Sequence, residues 1–204
     1  LSLRRQDVGR IGTVRIIDLT LPMLDKHVRW NAERTVKGDT TKGDLFQVTT
    51  LKVSCHSFTH VDARRHYFGD GATIEATPLD AVVGQAAVVD LMDVTANQAI
   101  GPDVLATRMA HVAPGARVIL KSGWHRHRSF EDAAFWLDSP YLTREAALYL
   151  HDRQIKTIAY DFPQDYCIRL LLKGEVRPIE EHVTHDILLR GGVHMIAYLT
   201  NTAA

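Results

Sequence analysis

Residues 56–66 read HSFTHVDARRH, a stretch that places three histidines and one aspartate within eleven positions. In an extended chain the even-numbered side chains share one face, so His56, His60, Asp62 and His66 would point the same way. Two imidazole nitrogens and one carboxylate oxygen form a ligand set for one divalent ion such as zinc or manganese, with positions left for water. The remaining histidine, His66, suits a proton carrier, because an unperturbed imidazole titrates near neutrality. The alternative is a strand with solvent-exposed histidines, since the chain contains 11 of them.

The same stretch resembles the H-x-G-T-H-x-D-x-P-x-H signature of the kynurenine formamidase-like metal-dependent hydrolases, a cyclase family that includes isatin hydrolase. The matching residues are His56, Thr59, His60, Asp62 and His66. Phe58 stands where the family has glycine, and Arg64 stands where it has proline. The resemblance implies that His56, His60 and Asp62 bind the metal and that His66 is the catalytic acid and base.

Other segments extend this resemblance over about residues 14–202. Residues 17–22 resemble the family's D-[LI]-[ST]-x-P opening, residues 122–124 its T-G-W, and residues 142–147 its L-[ST]-x-E-A-A helix start. Trp30 falls near a position where many members carry an aromatic substrate contact. The resemblance therefore implies a substrate-binding role for Trp30.

The chain departs from the family pattern at residue 197. His185 resembles the histidine of the family's H-x-x-L-L segment, which binds a second metal in two-metal members. Twelve residues later the family carries a glutamate or a glutamine, whereas this chain has Ala197. A two-metal cluster without that carboxylate would carry more uncompensated positive charge, so we expect a single metal ion. His185 is then expected to be catalytic, as a proton relay or substrate contact; the alternative is a histidine at a helix start in a polar crevice.

Arg64 would lie on the same even-numbered face as Asp62. Its fixed positive charge could pair with that carboxylate or bind an anionic group of the substrate. We therefore include Arg64 among the predicted substrate-binding residues. The alternative is an outward-pointing arginine on a locally altered backbone.

Composition limits the classes of protein and partner. At 204 residues and 46% hydrophobic types, the chain can bury one core, which predicts a single domain over residues 1–204 with an N-terminal extension at residues 1–13. Basic and acidic residues number 24 each, so no net charge favours nucleic acid or an anionic membrane. The sequence has no apolar run of about 18 residues that would predict a membrane span. Cys55 and Cys167 lie far apart, which argues against a disulfide framework and favours a reducing, cytoplasmic location.

Strand-like runs alternate with helical patterns along the chain. Strands are predicted at residues 14–19, 45–53, 86–91, 117–121, 157–161 and 193–200, and helices at residues 102–111, 131–137, 143–152 and 182–190. Residues 22–44 hold few apolar anchors and two glycines, which predicts a mobile loop. The interleaving predicts an α/β fold. The resemblance implies a swivelling β/β/α single domain with a mixed sheet and flanking helices, assembled as a homo-oligomer of two or more chains.

Three functions follow as alternatives. The first is a metal-dependent hydrolase, in which a metal-activated water attacks a small cyclic or aryl amide, lactone or ester and His66 carries the proton. The second is a metal-assisted cyclase or dehydratase (lyase) acting on a polyketide-like or other small planar carbonyl substrate, which the alanine at position 197 makes more credible. The third is a catalytically silent binding protein. We favour the hydrolase.

Overall fold

A computed structural model describes residues 9–204 of the chain. The N-terminal extension expected at residues 1–13 therefore lies mostly outside the described residues and stays a prediction. The strands, in chain order, are β1 Gly9–Ile11, β2 Val14–Ile16, β3 Glu33–Gly38, β4 Val48–Lys52, β5 His60–Asp62, β6 Ala86–Asp90, β7 Ala99–Ile100, β8 Arg117–Lys121, β9 Tyr141–Leu142, β10 Thr157–Tyr160 and β11 His194–Ala197. The α-helices are α1 Leu79–Val82, α2 Pro102–Arg108, α3 Ala133–Leu137, α4 Arg144–Asp152 and α5 Ile168–Leu171.

A five-stranded mixed sheet in the order β5-β11-β10-β8-β6 forms the centre of the fold. Strands β11, β10, β8 and β6 run parallel, and β5 pairs antiparallel with β11. Every residue of β10 is buried, as expected for an apolar central strand covered on both faces. The α/β single-domain fold with a mixed sheet and flanking helices is confirmed.

Helix α4 shows how local sequence determines an element boundary. Thr143 precedes the helix, and its side chain accepts a hydrogen bond from the backbone N–H of Ala146. This is the N-cap arrangement that serine and threonine favour. Ala146, Ala147 and Leu150 form the buried face of the helix, so its packing against the core follows from apolar residues at helical spacing.

The helix predicted over residues 182–190 has a different form. Ile179–Glu181 is a short 3-10 turn, and His185–Leu189 is a π-helical turn. The backbone N–H of Arg190 bonds to the carbonyl of His185, five residues earlier. Such turns occur mainly as single insertions and often lie at functional sites.

The loop predicted over residues 22–44 contains a strand. Glu33–Gly38 pairs antiparallel with Val48–Lys52 to form the β3–β4 hairpin, and all residues of β4 are exposed. The sequence pattern missed β3 because its ladder partner, rather than a buried apolar face, stabilises it. Within residues 9–204, every helix is too short or too polar to cross a lipid bilayer.

Candidate active site

The stretch 56–66 is not one extended strand, so that part of the prediction is wrong. Only His60–Asp62 is strand β5, and Arg64–His66 forms a 3-10 turn. The chain nevertheless bends so that the rings of His56 and His66 stack, with centroids 4.1 Å apart. The hydroxyl of Thr59 anchors the stretch, because it donates to the carbonyl of Tyr198 and accepts the N–H of Leu21.

Three potential ligand atoms converge beside β5. The Nδ1–H of His60 donates to the carbonyl of Phe58 at 2.9 Å. In this tautomer Nε2 carries the lone pair that can bind a metal. The Nε2 atom of His60 lies 2.8 Å from Nδ1 of His56 and 3.3 Å from Oδ1 of Asp62. The distance between His56 Nδ1 and Asp62 Oδ1 is 3.2 Å. Ligands about 2.0–2.1 Å from a tetrahedral ion would be separated by about 3.3 Å. The two distances to Asp62 Oδ1 match this separation and the nitrogen–nitrogen distance is shorter, so a small movement of the rings would let the three residues hold a divalent metal. His66 also offers a ring nitrogen within 4.8 Å of ligand atoms of His56 and Asp62.

Asp62 supplies a second argument for this fit. It is 3% exposed, and its Oδ2 is buried with no hydrogen-bond partner in the described part of the chain. Burial alone would raise the pKa of Asp62, but interactions with His185, His56 and His60 outweigh burial and hold the pKa well below its usual range. Burial lowers the pKa of His56, which keeps its imidazole neutral, as metal binding requires.

His66 stands beside this ligand set, at the wall of the same cavity. Partial burial, with the nearby histidines, lowers the pKa of His66 to about 4. The ring is therefore neutral at pH 7 and able to accept a proton. Its position next to His56 agrees with the arrangement expected from the sequence, while its acid and base role stays a prediction.

His185 is buried on the other side of Asp62. Its Nδ1 donates to Oδ2 of Asp165 at 2.7 Å, and its Nε2 lies 3.7 Å from Oδ2 of Asp62. Burial would lower the pKa of His185, but interactions with Asp165 and Asp62 raise it to about 9. Asp165 also accepts the backbone N–H and the hydroxyl of Thr184, each at 2.9 Å. His185 is therefore oriented by its hydrogen bond to Asp165 and lies within ion-pair distance of Asp62.

Sequence reasoning missed Tyr67, Asp165 and His182 as site residues. The hydroxyl of Tyr67 hydrogen-bonds Nδ1 of His182 at 2.8 Å. The Tyr67 ring lies 4.3 Å from the ring of His185 and 4.7 Å from that of His66. A usable signal was the position of Asp165 after β10, because side chains at the carboxyl ends of parallel strands commonly form sites.

Ala197 lies beside the ligand set. It is the direct partner of His60 in the β5–β11 ladder and is 1% exposed. Paired residues place their side chains on the same face of a sheet, so the methyl group of Ala197 faces the ligand side without offering a ligand atom.

The other two predicted site residues are Trp30 and Arg64. Trp30 is buried in an aromatic cluster with His27, Phe58, Trp136 and Tyr198. Arg64 is exposed, and its Cζ lies 5.9 Å from the ring centroid of Phe68. Neither residue lines the large cavity beside His66, although Arg64 lines a smaller cavity of about 130 Å³ together with Asp62. Substrate contacts by Trp30 and Arg64 therefore stay predictions.

A cavity of about 700 Å³ opens onto the ligand set. A cavity of this volume suits a small organic molecule. Besides the predicted ligands and His66, its walls include charged and apolar side chains: Arg65, Glu75, Ile74, Leu79 and Val82.

Comparison with known proteins finds relatives that span most of the chain. A kynurenine formamidase from Bacillus mycoides (strain KBAB4) is 24% identical over 191 residues, which cover 90% of this chain and 81% of that protein. The solved structure of a potential metal-dependent hydrolase with cyclase activity is 29% identical, with a TM-score of 0.66 over 91% of this chain and 81% of that one. Isatin hydrolase A from Labrenzia aggregata shares the fold, with 19% identity and a TM-score of 0.70 over 91% of this chain and 80% of that one.

The family model described as "Putative cyclase" matches residues 17–164. This match covers most of the chain, including β5 and the residues around it. The resemblance drawn from the sequence is thereby confirmed, and the chain belongs to this cyclase family of enzymes.

Proposed function

We propose that the protein is a metal-dependent hydrolase of a small cyclic or aryl amide, lactone or ester. The observation that carries the proposal is the convergence of His60 Nε2, His56 Nδ1 and Asp62 Oδ1 at the wall of a cavity large enough for such a substrate. The names of the relatives, a kynurenine formamidase and a potential metal-dependent hydrolase, support the same reaction class.

His56, His60 and Asp62 would hold one zinc or manganese ion. When bound, such an ion acts as a Lewis acid that polarises a carbonyl and lowers the pKa of water. Nitrogen and carboxylate ligands suit both metals. Because Ala197 adds no carboxylate, we propose one ion per chain.

The protein groups around these ligands would handle the protons. In this proposal His66, neutral at pH 7, accepts a proton at the cavity wall and returns it to the leaving group. His185, held by Asp165, keeps its Nε2 directed toward Asp62 and stabilises negative charge beside that carboxylate.

Ala197 also favours a second candidate function. With one carboxylate fewer than the family pattern, the site could instead stabilise an enolate of a small planar carbonyl substrate, leading to cyclisation or dehydration. In that reaction no new carboxylate would be released.

A substrate panel separates these functions. Metal-loaded protein is incubated with N-formylkynurenine, isatin and an aryl lactone, and the products are identified by mass spectrometry. The hydrolase proposal expects release of a carboxylate or formate, strongly reduced in His66→Gln and absent in Asp62→Asn. Ring closure or loss of water alone would favour the cyclase. A stable metal complex that converts nothing in a broad panel would favour a binding protein.

We further propose that the protein is a cytoplasmic homo-oligomer. The β3–β4 hairpin exposes Val36, Phe46, Val48 and Leu51 by 41–60%, and a cluster of exposed apolar side chains commonly marks a contact surface. Both cysteines are free thiols, which fits a reducing compartment. Analytical ultracentrifugation tests the assembly, and a monomer at micromolar concentration would contradict it.

A further inference from the structure

Arg29 carries a partly buried positive charge that is held by aromatic rings. Its Cζ lies 4.5 Å from the ring centroid of Trp136, 4.9 Å from that of Trp30 and 5.9 Å from that of Tyr198. Its Nη1 donates to the hydroxyl of Tyr198 at 3.2 Å. Such cation–π contacts, together with this hydrogen bond, restrict the orientation of the guanidinium.

The charge of Arg29 has no acidic partner among the side chains that the structure describes. Arg34, Arg108 and Arg144 each pair with an aspartate, whereas the hydrogen-bond acceptor of Arg29 is a neutral phenol. A guanidinium has five N–H donors in a planar fork that matches a carboxylate. Among residues 9–204, the Arg29 guanidinium makes one hydrogen bond, to Tyr198, although the residue is only partly exposed to solvent.

Arg29 also lies close to the ligand set. The ring of Tyr198, which contacts Arg29, is 6.0 Å from the ring of His60. Arg29, like Trp30, is not among the residues that line the large cavity, so an anionic group bound by Arg29 would lie on the Tyr198 side of the ligand set.

We propose that Arg29 is the anion-binding residue of this active site, and that the substrate carries a carboxylate or a group of equivalent charge. The inference rests on the proposed hydrolase function and narrows its substrates to small anionic aryl or cyclic amides, lactones or esters. Because guanidinium and carboxylate can form two parallel hydrogen bonds, the contact would fix the orientation of the substrate as well as its affinity.

The two arginines nearest the predicted ligands in sequence are weaker candidates. Arg64 lies beside Phe68, and both Arg64 and Arg65 are exposed to solvent. Water screens an exposed charge and competes for its hydrogen bonds, which reduces the affinity for an anion. Arg65 lines the large cavity, however, and is therefore the informative comparison.

Calorimetric titration of the metal-loaded protein with benzoate and with neutral benzamide tests the anion site without turnover. We expect Arg29→Gln to weaken benzoate binding by about tenfold or more, because a charge-assisted contact is lost. The preference of the protein for benzoate over benzamide should fall by the same factor. Arg29→Lys, which keeps the charge without the planar fork, should lose less. Arg34→Gln, an exposed position outside the site, is the matched control and should bind as the original protein does.

Kinetics provide the second measurement. N-formylanthranilate is an aryl formamide with a carboxylate, and formanilide is one without it. Arg29→Gln should lower the kcat/KM for N-formylanthranilate by about tenfold relative to that for formanilide, mainly by raising KM. The proposal would be overturned if Arg29→Gln lowered kcat/KM equally for both compounds or left the benzoate affinity unchanged. It would also be overturned if Arg65→Gln, rather than Arg29→Gln, caused the loss of benzoate affinity. If benzoate binds through Arg29 but the protein hydrolyses no amide or ester, the hydrolase function fails while the anion site stands.

Discussion

Phe58 adopts a backbone conformation that is easier for glycine. Its φ is +53°, in the left-handed region, and the related family pattern has glycine at this position. The side chain is 1% exposed and packs against Trp30 and His27. Burial of a phenylalanine ring is worth about 3–5 kcal/mol, whereas the strained φ costs about 1–2 kcal/mol, so the packing outweighs the strain.

This balance gives a prediction for substitutions at Phe58. Phe58→Ala should lower the free energy of unfolding by about 3–5 kcal/mol, and Phe58→Gly should be about 1 kcal/mol more stable than Phe58→Ala. Urea unfolding measures both values. Val176→Ala is the control, because Val176 is 86% exposed and should change stability by less than about 0.5 kcal/mol. Equal stability of the alanine and glycine variants would contradict the assigned backbone strain.

Asp165 determines how His185 is presented to Asp62. Asp165→Asn should reduce kcat/KM by about 10–100-fold, as removal of a supporting carboxylate commonly does. Nitrogen NMR of the imidazole should also show a changed tautomer or pKa for His185, which simple loosening of the fold would not produce. Thr184→Val removes one hydrogen bond to Asp165 while keeping its charge, and should have a smaller effect. Full activity in Asp165→Asn would refute the role.

At the scale of elements, pairing between β5 and β11 determines what stands beside each predicted ligand. His60 pairs with Ala197, and Asp62 pairs with Met195. This register explains why residue 197 influences the site although it is distant in sequence from His60. It also predicts the effect of adding a carboxylate there.

Ala197→Glu should raise the metal content from one to two equivalents per chain, because it adds a ligand opposite His60 on the face shared with Asp62. Elemental mass spectrometry measures the metal-to-protein ratio. Ala197→Gln has nearly the same size without the charge and should bind less of the second ion. A folded Ala197→Glu protein that still binds one equivalent would show that the register does not direct residue 197 at the site.

The sequence predicted some elements better than others for physical reasons. Strands β6, β8 and β10 were predicted to within one residue, because each contains a run of at least three consecutive apolar residues. Strand β3 is defined by its partner β4, and the π-helical turn at His185–Leu189 by contacts around Asp165, so neither shows in local periodicity.

The same distinction holds for the candidate site. His56, His60, Asp62 and His66 could be predicted together because they lie within one short stretch. Asp165 and His182 come from separate elements, and only the folded chain brings them near Tyr67 and His185. Arg29 was missed because an isolated arginine carries no signal until its aromatic neighbours are known.

At the scale of the whole molecule, several partly buried histidines outside the ligand set limit stability in acid. Burial lowers the pKa values of His27, His125 and His194. Each contributes stability that is present above the unfolded-state pKa of about 6.5 and is lost as the pH falls through the lower folded-state value. The buried Nδ1 of His125 has no hydrogen-bond partner among the described residues.

The free energy of unfolding should therefore decrease as the pH is lowered from about 7 to about 5. Urea unfolding at a series of pH values measures the slope. His125→Gln should flatten it, because that variant has no imidazole to protonate on unfolding, whereas His111→Gln, at an exposed position, should leave the slope nearly unchanged. Constant stability across this range in the original protein would contradict the prediction.

The position of β5 at the edge of the sheet also affects how the enzyme matures. Among the strands that the structure describes, β5 pairs in this sheet with β11 alone, and β11 is synthesised long after β5. During translation, His60 and Asp62 emerge from the ribosome well before the strand that holds them in register. Full affinity for the proposed metal ion must therefore wait until β11 has been made and has docked, so a nascent chain truncated before His194 should be unable to retain such an ion.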